Sequence, residues 1–205
     1  MLVRHGETEW NADKRAQGQA DVALSPRGRE QARETAARLS DLDVHAVYSS
    51  DLSRAVETAR AIAEVHGLEV EEDPAFREID QGEWTGLTVD EIKRSWPEQW
   101  GPARHFSSRP GGESPQQVRR RALEGLRRVV ERHPQGTVVI ASHGGTIRWI
   151  SAEILGYDDR QSARIRGLAN GGVVCFDARL GSSGLELSGL ERMDGATTDV
   201  DDPNA

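Results

Sequence analysis

The sequence predicts an α/β protein, a three-layer α/β/α sandwich whose central sheet is mostly parallel with an antiparallel edge. Three observations carry that expectation. Strand and helix patterns alternate along the chain, the β-branched run "GTVVIAS" suits a strand buried on both faces, and two late strand patterns lie close enough for a hairpin. At 205 residues the chain is long enough to bury one proper core as a single domain.

The elements follow in order. Met1, Leu2 and Val3 begin a short strand that ends by presenting Arg4, His5 and Gly6. In "LSPRGREQARETAARLSDL", Ser25 is an N-cap, Pro26 takes the first helical position, and Ala32, Ala36 and Leu39 share a face. "VHAVYSS" reads as a strand, and "DLSRAVETARAIAEVHG" as a helix capped by Ser50 or Asp51 and stopped near Gly67. The pattern then weakens. Residues 84–113, with Trp96, Trp100, Phe106, prolines and a glycine pair, read as a short helix plus a lid or side wall. A long helix starts behind Ser114, with Gln117 completing a capping box. Its Arg119, Arg120, Arg121, Arg127 and Arg128 are expected on a solvated face. "GTVVIASHGG" gives the buried strand and "TIRWISAEILGY" the helix after it. "NGGVVCFDA" and "GLELSGLE", joined by "RLGSSG", give the antiparallel pair. Residues 1–193 thus form one domain. Residues 194–205 have no hydrophobic periodicity and read as a disordered acidic tail.

Composition narrows the function classes. No apolar run is long enough to cross a bilayer, and no basic region precedes an apolar stretch with a cleavage site, so a cytoplasmic location is expected. The net charge of -8 argues against nucleic-acid binding, which draws on clustered positive charge. Asp194, Asp199, Asp201 and Asp202 of the tail supply much of that charge. Cys175 is the only cysteine, so no internal disulfide forms, and its apolar surroundings suggest packing. Trp10, Trp84 and Trp149 read as core. No histidine or carboxylate cluster has metal-ligand spacing, so a reaction without metal or other cofactor is expected.

Two His-Gly pairs, at His5 and His143, each terminate a strand pattern. In an open parallel sheet the ligand crevice lies beyond the carboxyl ends of the strands, and both histidines can reach it. Arg54, in the first turn of the second helix, adds a cation to the same edge. "FREIDQGEWTGL" offers a carboxylate, with Glu78, Asp80 and Glu83 as rivals. Arginines, histidines and a carboxylate around one mouth ask for an anion whose charge changes during reaction. Phosphate fits: arginine forks match its oxygens, helix N-termini offer free N–H groups, and glycines admit close backbone approach.

"LVRHGETEWN", "SSDLSRAVETA", "REIDQGEWTG" and "ASHGG", recurring in that order, resemble the histidine phosphatase superfamily, in the branch of phosphoglycerate mutases and broad-specificity phosphatases. The resemblance runs from residue 2 to about Asp177. It implies a phosphoglycerate mutase-like fold and a phosphomonoesterase acting on small phosphorylated metabolites through a phosphohistidine. His5 is then the nucleophile. Arg4, Arg54 and His143 hold the phosphoryl group, and Glu78 protonates the leaving oxygen. Asn11, Gln17, Gly18 and Gly144 occupy positions at the phosphate pocket or its rim. Family mutases carry a longer insertion with paired arginines that grip a substrate carboxylate. Here only Arg104 and Arg109 are basic candidates, which favours hydrolysis over mutase activity. A non-catalytic phospho-ligand scaffold would lack the nucleophile, which is present. Assembly is open, with a homodimer among the allowed states.

Overall fold

The computed structural model describes residues 1–100 and 107–193. Arg104, Phe106 and the acidic tail lie outside the described residues. The chain runs β1 (Leu2–Arg4), α1 (Glu9–Ala12), α2 (Pro26–Leu39), β2 (Val44–Ser49), α3 (Ser53–His66), β3 (Val70–Glu72), α4 (Val89–Ser95), α5 (Pro97–Trp100), α6 (Pro115–Arg132), β4 (Thr137–Ser142), α7 (Gly144–Ile154), α8 (Asp159–Ser162), β5 (Val173–Gly181) and β6 (Gly184–Arg192). Single 3-10 turns at Pro74–Phe76 and Gly82–Trp84 punctuate the stretch between β3 and α4.

The strands form one sheet in the order β3-β2-β4-β1-β5-β6. The first four are mutually parallel, while β5 and β6 run antiparallel at one side. Alternation of side chains along each strand decides the layering. Leu2, Tyr48, Ile140 and Val174 face a core shared with Ala122 and Leu126 of α6 and Ile147 and Ile150 of α7. Val3, Val47, Val139 and Val173 face the other way, against Ala36 and Leu39 of α2 and Ala55 and Ile62 of α3. Strands apolar on both faces need helices on both sides, and the expected three-layer sandwich results.

Two helix ends read from the sequence carry the expected caps. Ser25 Oγ accepts from Gly28 N at 3.0 Å, and Ser114 and Gln117 form the expected reciprocal box. Gly67 closes α3 at φ 65. The start of α3 differs: its N-cap is Leu52, which has no side-chain cap bond. Asp51 instead accepts a bidentate pair of hydrogen bonds from Arg77, at 2.7 and 2.5 Å, and Ser50 Oγ accepts from Leu52 N. A two-pronged ion pair outcompetes a single cap bond.

Further departures have physical reasons. Strand β3 has exposed glutamates and is too short to show alternation. The hairpin strands extend into the expected linker, leaving only Ser182 and Ser183 between the paired Gly181 and Gly184. The segment after residue 84 holds two short helices rather than one, packed on Trp84 and Ala16 through Val89, Ile92 and Trp100. Trp84 and Trp149 are buried, but Trp10 is only half-buried because its one-turn helix α1 has no buried residue of its own. Cys175 has the expected packing role, against the core of Val3, Val47 and Val173, but is half-buried. On α6, Arg120 and Arg128 are exposed, and Arg119 and Arg127 form surface ion pairs. Arg121 turns inward, because loop carbonyls beneath the helix need donors. Among the described residues, no helix is long and apolar enough to cross a membrane.

Candidate active site

The carboxyl ends of β1 and β4 lie side by side, with Arg4 in register with Ser142. His5 therefore emerges next to His143, their ring centroids 5.1 Å apart. The turn carrying His5 is fixed through its backbone. His5 N donates to Ser142 O at 3.0 Å, Asn170 Nδ2 donates to His5 O at 3.0 Å, and Gly6 N donates to Thr58 Oγ1 at 3.1 Å. Gly6 also lies against Gly28 of α2. A Cβ at Gly6 would sit 2.2 Å from Gly28 O, and one at Gly28 would sit 1.9 Å from Glu7 O, so neither position admits a side chain without backbone movement.

The imidazole of His5 is 1 % exposed, and Nδ1 lies 2.6 Å from Gly6 O. A carbonyl only accepts, so Nδ1 carries the proton and the Nε2 lone pair is left for attack. Burial first, then the charges of Arg54 and Arg4, holds the pKa of His5 well below 6.5, so the ring is neutral near pH 7.

Arg4 and Arg54 are fully buried. Arg4 Nη1 donates to Leu168 O at 2.6 Å. Arg54 donates to Ala20 O and Gly18 O, both at 2.8 Å, which aims its guanidinium from α3 across the strand ends. Burial brings the Arg54 pKa down to about 10, so it stays charged at neutral pH. Gly18 has φ 54, and a Cβ there would lie 2.8 Å from Gln81 N. That loop thus needs glycine to present the carbonyl that anchors Arg54.

Burial separates Glu78 from its rivals. Glu83 is exposed and Asp80 Oδ1 accepts from Gly82 N in a turn, whereas Glu78 is 1 % exposed. Its Oε1 accepts from Ile79 N at 2.9 Å and its Oε2 from Gly145 N at 3.1 Å. Burial raises its pKa above 4.5, against the pull of those two amides and of Arg54 and Arg4. His143, fully buried, precedes the first turn of α7. Neither of its ring nitrogens has a protein hydrogen-bond partner, and burial with Arg54 nearby lowers its pKa well below 6.5. Asn11 caps its own turn through Oδ1, which accepts from Thr8 N at 3.1 Å, while its buried Nδ2 has no protein partner. Gln17 is buried.

The structure thus brings His5, His143, Arg4, Arg54 and Glu78 to one edge of the sheet, with Gly144 opening α7 beside them. Sequence reasoning missed Gly28, Thr58, Asn170 and Gly145, whose work is done by backbone shape or a single bond. The second glycine of "SHGG" is the one signal that pointed to Gly145. Among the described residues, no group of three or more histidine, cysteine, aspartate or glutamate side chains could hold a metal ion.

A neutral buried imidazole between two guanidinium groups suits the transfer of a phosphoryl group, and the relatives of the chain give that class its family. Residues 1–189 match the histidine phosphatase superfamily (branch 1), and the chain belongs to it. Phosphoserine phosphatase 1 of Hydrogenobacter thermophilus is 40% identical over 161 residues, 77% of this chain and 76% of that protein. Phosphoglycerate mutase-like protein 4 of Arabidopsis thaliana is 41% identical over 157 residues, 72% of this chain and 67% of that protein. Among solved structures, a mycobacterial glucosyl-3-phosphoglycerate phosphatase superposes with a TM-score of 0.85 at 31% identity, covering 93% of this chain and 95% of that one. The fold is that of the phosphoglycerate mutase-like phosphatases, and the protein is a phosphatase.

Proposed function

We propose that the protein hydrolyses monoesters of small phosphorylated metabolites by way of a phosphohistidine at His5. The observation that carries this reading is the bond between His5 Nδ1–H and Gly6 O, which frees Nε2 in a ring kept neutral by burial, Arg54 and Arg4. His5 Nε2 forms a bond to phosphorus as the ester P–O bond breaks, and the neutral Glu78 carboxyl passes its proton to the leaving oxygen. Arg4, Arg54 and His143 stabilise the equatorial oxygens, contacts of a kind that contribute roughly 10³ to 10⁵ in rate in other phosphoryl-transfer enzymes. Water then attacks phosphorus, the Glu78 carboxylate takes its proton, the P–N bond breaks, and inorganic phosphate leaves. Asn11, Gln17, Gly18 and Gly144 line the pocket or its rim. Residues 1–193 act as one domain, with residues 84–100 and 107–113 contributing to a lid or side wall, in a metal-independent, cytoplasmic enzyme.

Rapid quench of a reaction with p-nitrophenyl phosphate, followed by mass spectrometry, should place an acid-labile phosphoryl adduct on His5. An adduct on another side chain would overturn the scheme, and absence of turnover would favour a binding scaffold. Mutase action is the second reading, favoured by the name of the Arabidopsis relative. Against it, Arg109 is stacked over Trp84 at 4.9 Å and donates to Gln81 Oε1 and Ser107 O, so it is already engaged rather than set aside for a substrate carboxylate. Release of phosphate from 3-phosphoglycerate, as against its isomerisation, decides between the two.

A further inference from the structure

The loop from Ala75 to Asp80 carries Glu78 but has little regular structure of its own, so its backbone groups must find partners elsewhere. Ser142 Oγ donates to Phe76 O, Thr146 Oγ1 to Arg77 O and Gln19 Nε2 to Glu78 O, and one ion pair supplies four further contacts. Arg121 of α6 donates from Nη1 to Ala75 O at 2.9 Å and Arg77 O at 2.7 Å. It donates from Nη2 to Glu78 O at 2.9 Å and Glu113 Oε2 at 2.9 Å, and from Nε to Glu113 Oε1 at 2.9 Å. Every N–H of the guanidinium is thereby used. Glu113 holds the far side of the same loop: Oε2 accepts from Asp80 N at 2.9 Å, and Glu113 N donates to Asp80 O at 3.0 Å. The pair is largely enclosed, with side-chain exposures of 21% and 20%. Burial would raise the pKa of Glu113, but its bonds from Arg121 and Asp80 N outweigh this and keep the group ionised.

We infer that Arg121 and Glu113 are positioning residues for the proton donor, setting where the Glu78 carboxyl stands relative to the leaving oxygen without touching the phosphoryl group. The inference rests on the proposed role of Glu78 as the acid. A fixed carboxyl matters because general acid catalysis contributes about 10² to 10⁴ and is sharply dependent on distance. Three carbonyls held by one planar fork give the loop a single register, which a lysine ammonium cannot reproduce.

The test compares kcat/KM for p-nitrophenyl phosphate, whose leaving group needs no proton, with that for glycerol 2-phosphate, whose alkoxide does. Arg121→Lys should lower the second by about tenfold or more and the first by less than about threefold, given the size of the acid's contribution. The inhibition constant of inorganic phosphate should stay within about twofold, because the phosphoryl cradle is untouched. Glu113→Gln, which keeps the shape of the side chain, should show the same selectivity at smaller size. In a Glu78→Gln background, Arg121→Lys should add nothing to the discrimination, there being no acid left to place. Equal losses on both esters, a persisting loss in that background, or weakened phosphate inhibition would overturn the inference. Should Arg121→Lys not fold, the same comparison with Glu113→Gln decides it. Failure of the phosphatase reading itself would look different, as wild-type protein that turns over neither ester.

Discussion

The amide of Gly145 donates to Glu78 Oε2 at 3.1 Å, so the carboxyl is held by the helix that follows His143. A Cβ on Gly145 would stand 2.5 Å from Glu78 Oε1. Gly145→Ala must therefore push the acid aside, while the helix itself loses nothing, since alanine suits a helix better than glycine by about 1 kcal/mol. The expected outcome is a thermal midpoint equal to or above wild type, with kcat/KM on an alkyl phosphate reduced about tenfold or more. Kinetics beside a melting curve check both halves.

Removal of the proposed nucleophile is expected to be all or nothing. His5→Ala should abolish the covalent adduct and lower turnover by at least about 10³, because the covalent route of the proposed scheme runs through its Nε2. Phosphate binding measured by calorimetry should survive in part, through Arg4, Arg54 and His143. Residual turnover near the wild-type rate would remove His5 from the scheme.

The two ionisations give kcat/KM opposite limbs. Burial, Arg54 and Arg4 lower the pKa of His5 below 6.5, so the neutral nucleophile is lost only as pH falls through that lowered value. Burial raises the pKa of Glu78 above 4.5, so the acid form is lost as pH rises through the raised value. In Glu78→Gln the alkaline limb should vanish and the acid limb remain. Stability obeys the same signs. The raised Glu78 contributes stability fully present below 4.5 and lost as pH rises through its folded value. The lowered His5 and His143 cost stability as pH falls below 6.5. The melting midpoint of Glu78→Gln relative to wild type should accordingly rise with pH.

Two glycines separate crowding from backbone strain. At Gly28 a methyl group would meet Glu7 O at 1.9 Å, whereas at Gly67, with φ 65, nothing lies within 4 Å. Gly28→Ala should cost about 1–3 kcal/mol or more through overpacking. Gly67→Ala should cost only about 1–2 kcal/mol, from the left-handed conformation. Each kcal/mol corresponds to roughly 2–4 °C in the melting midpoint of a chain this size. Only the first substitution should also depress activity, since Gly28 packs on the turn that carries His5.

The parts of the site set by periodicity were legible in the sequence. Val138, Val139, Ile140 and Ala141 run into Ser142 and His143, and a buried strand ending on polar residues marks a site with no knowledge of packing. Arg54 was legible because it stands in the first turn after a strand. Glu78 was not separable from Asp80 and Glu83 by chemistry, because burial distinguishes them and burial depends on α7, distant in sequence. Arg121 was misjudged for a related reason. Helical spacing puts it at the flank of an apolar stripe, and only the loop from Ala75 to Glu78, which has no period to read, turns that flank inward. The N-cap of α3 was lost to a competitor, Arg77, whose claim on Asp51 appears only in three dimensions.

The placement of β1 between β4 and β5 bears on how the protein comes into being on the ribosome. His5 is synthesised well before Ser142, which seats it on one side, and Asn170 to Gly172, which seat it on the other. A nascent chain therefore carries His5 unseated until Asn170 to Gly172 have emerged, and the imidazole takes its place late in translation, when its last neighbours arrive.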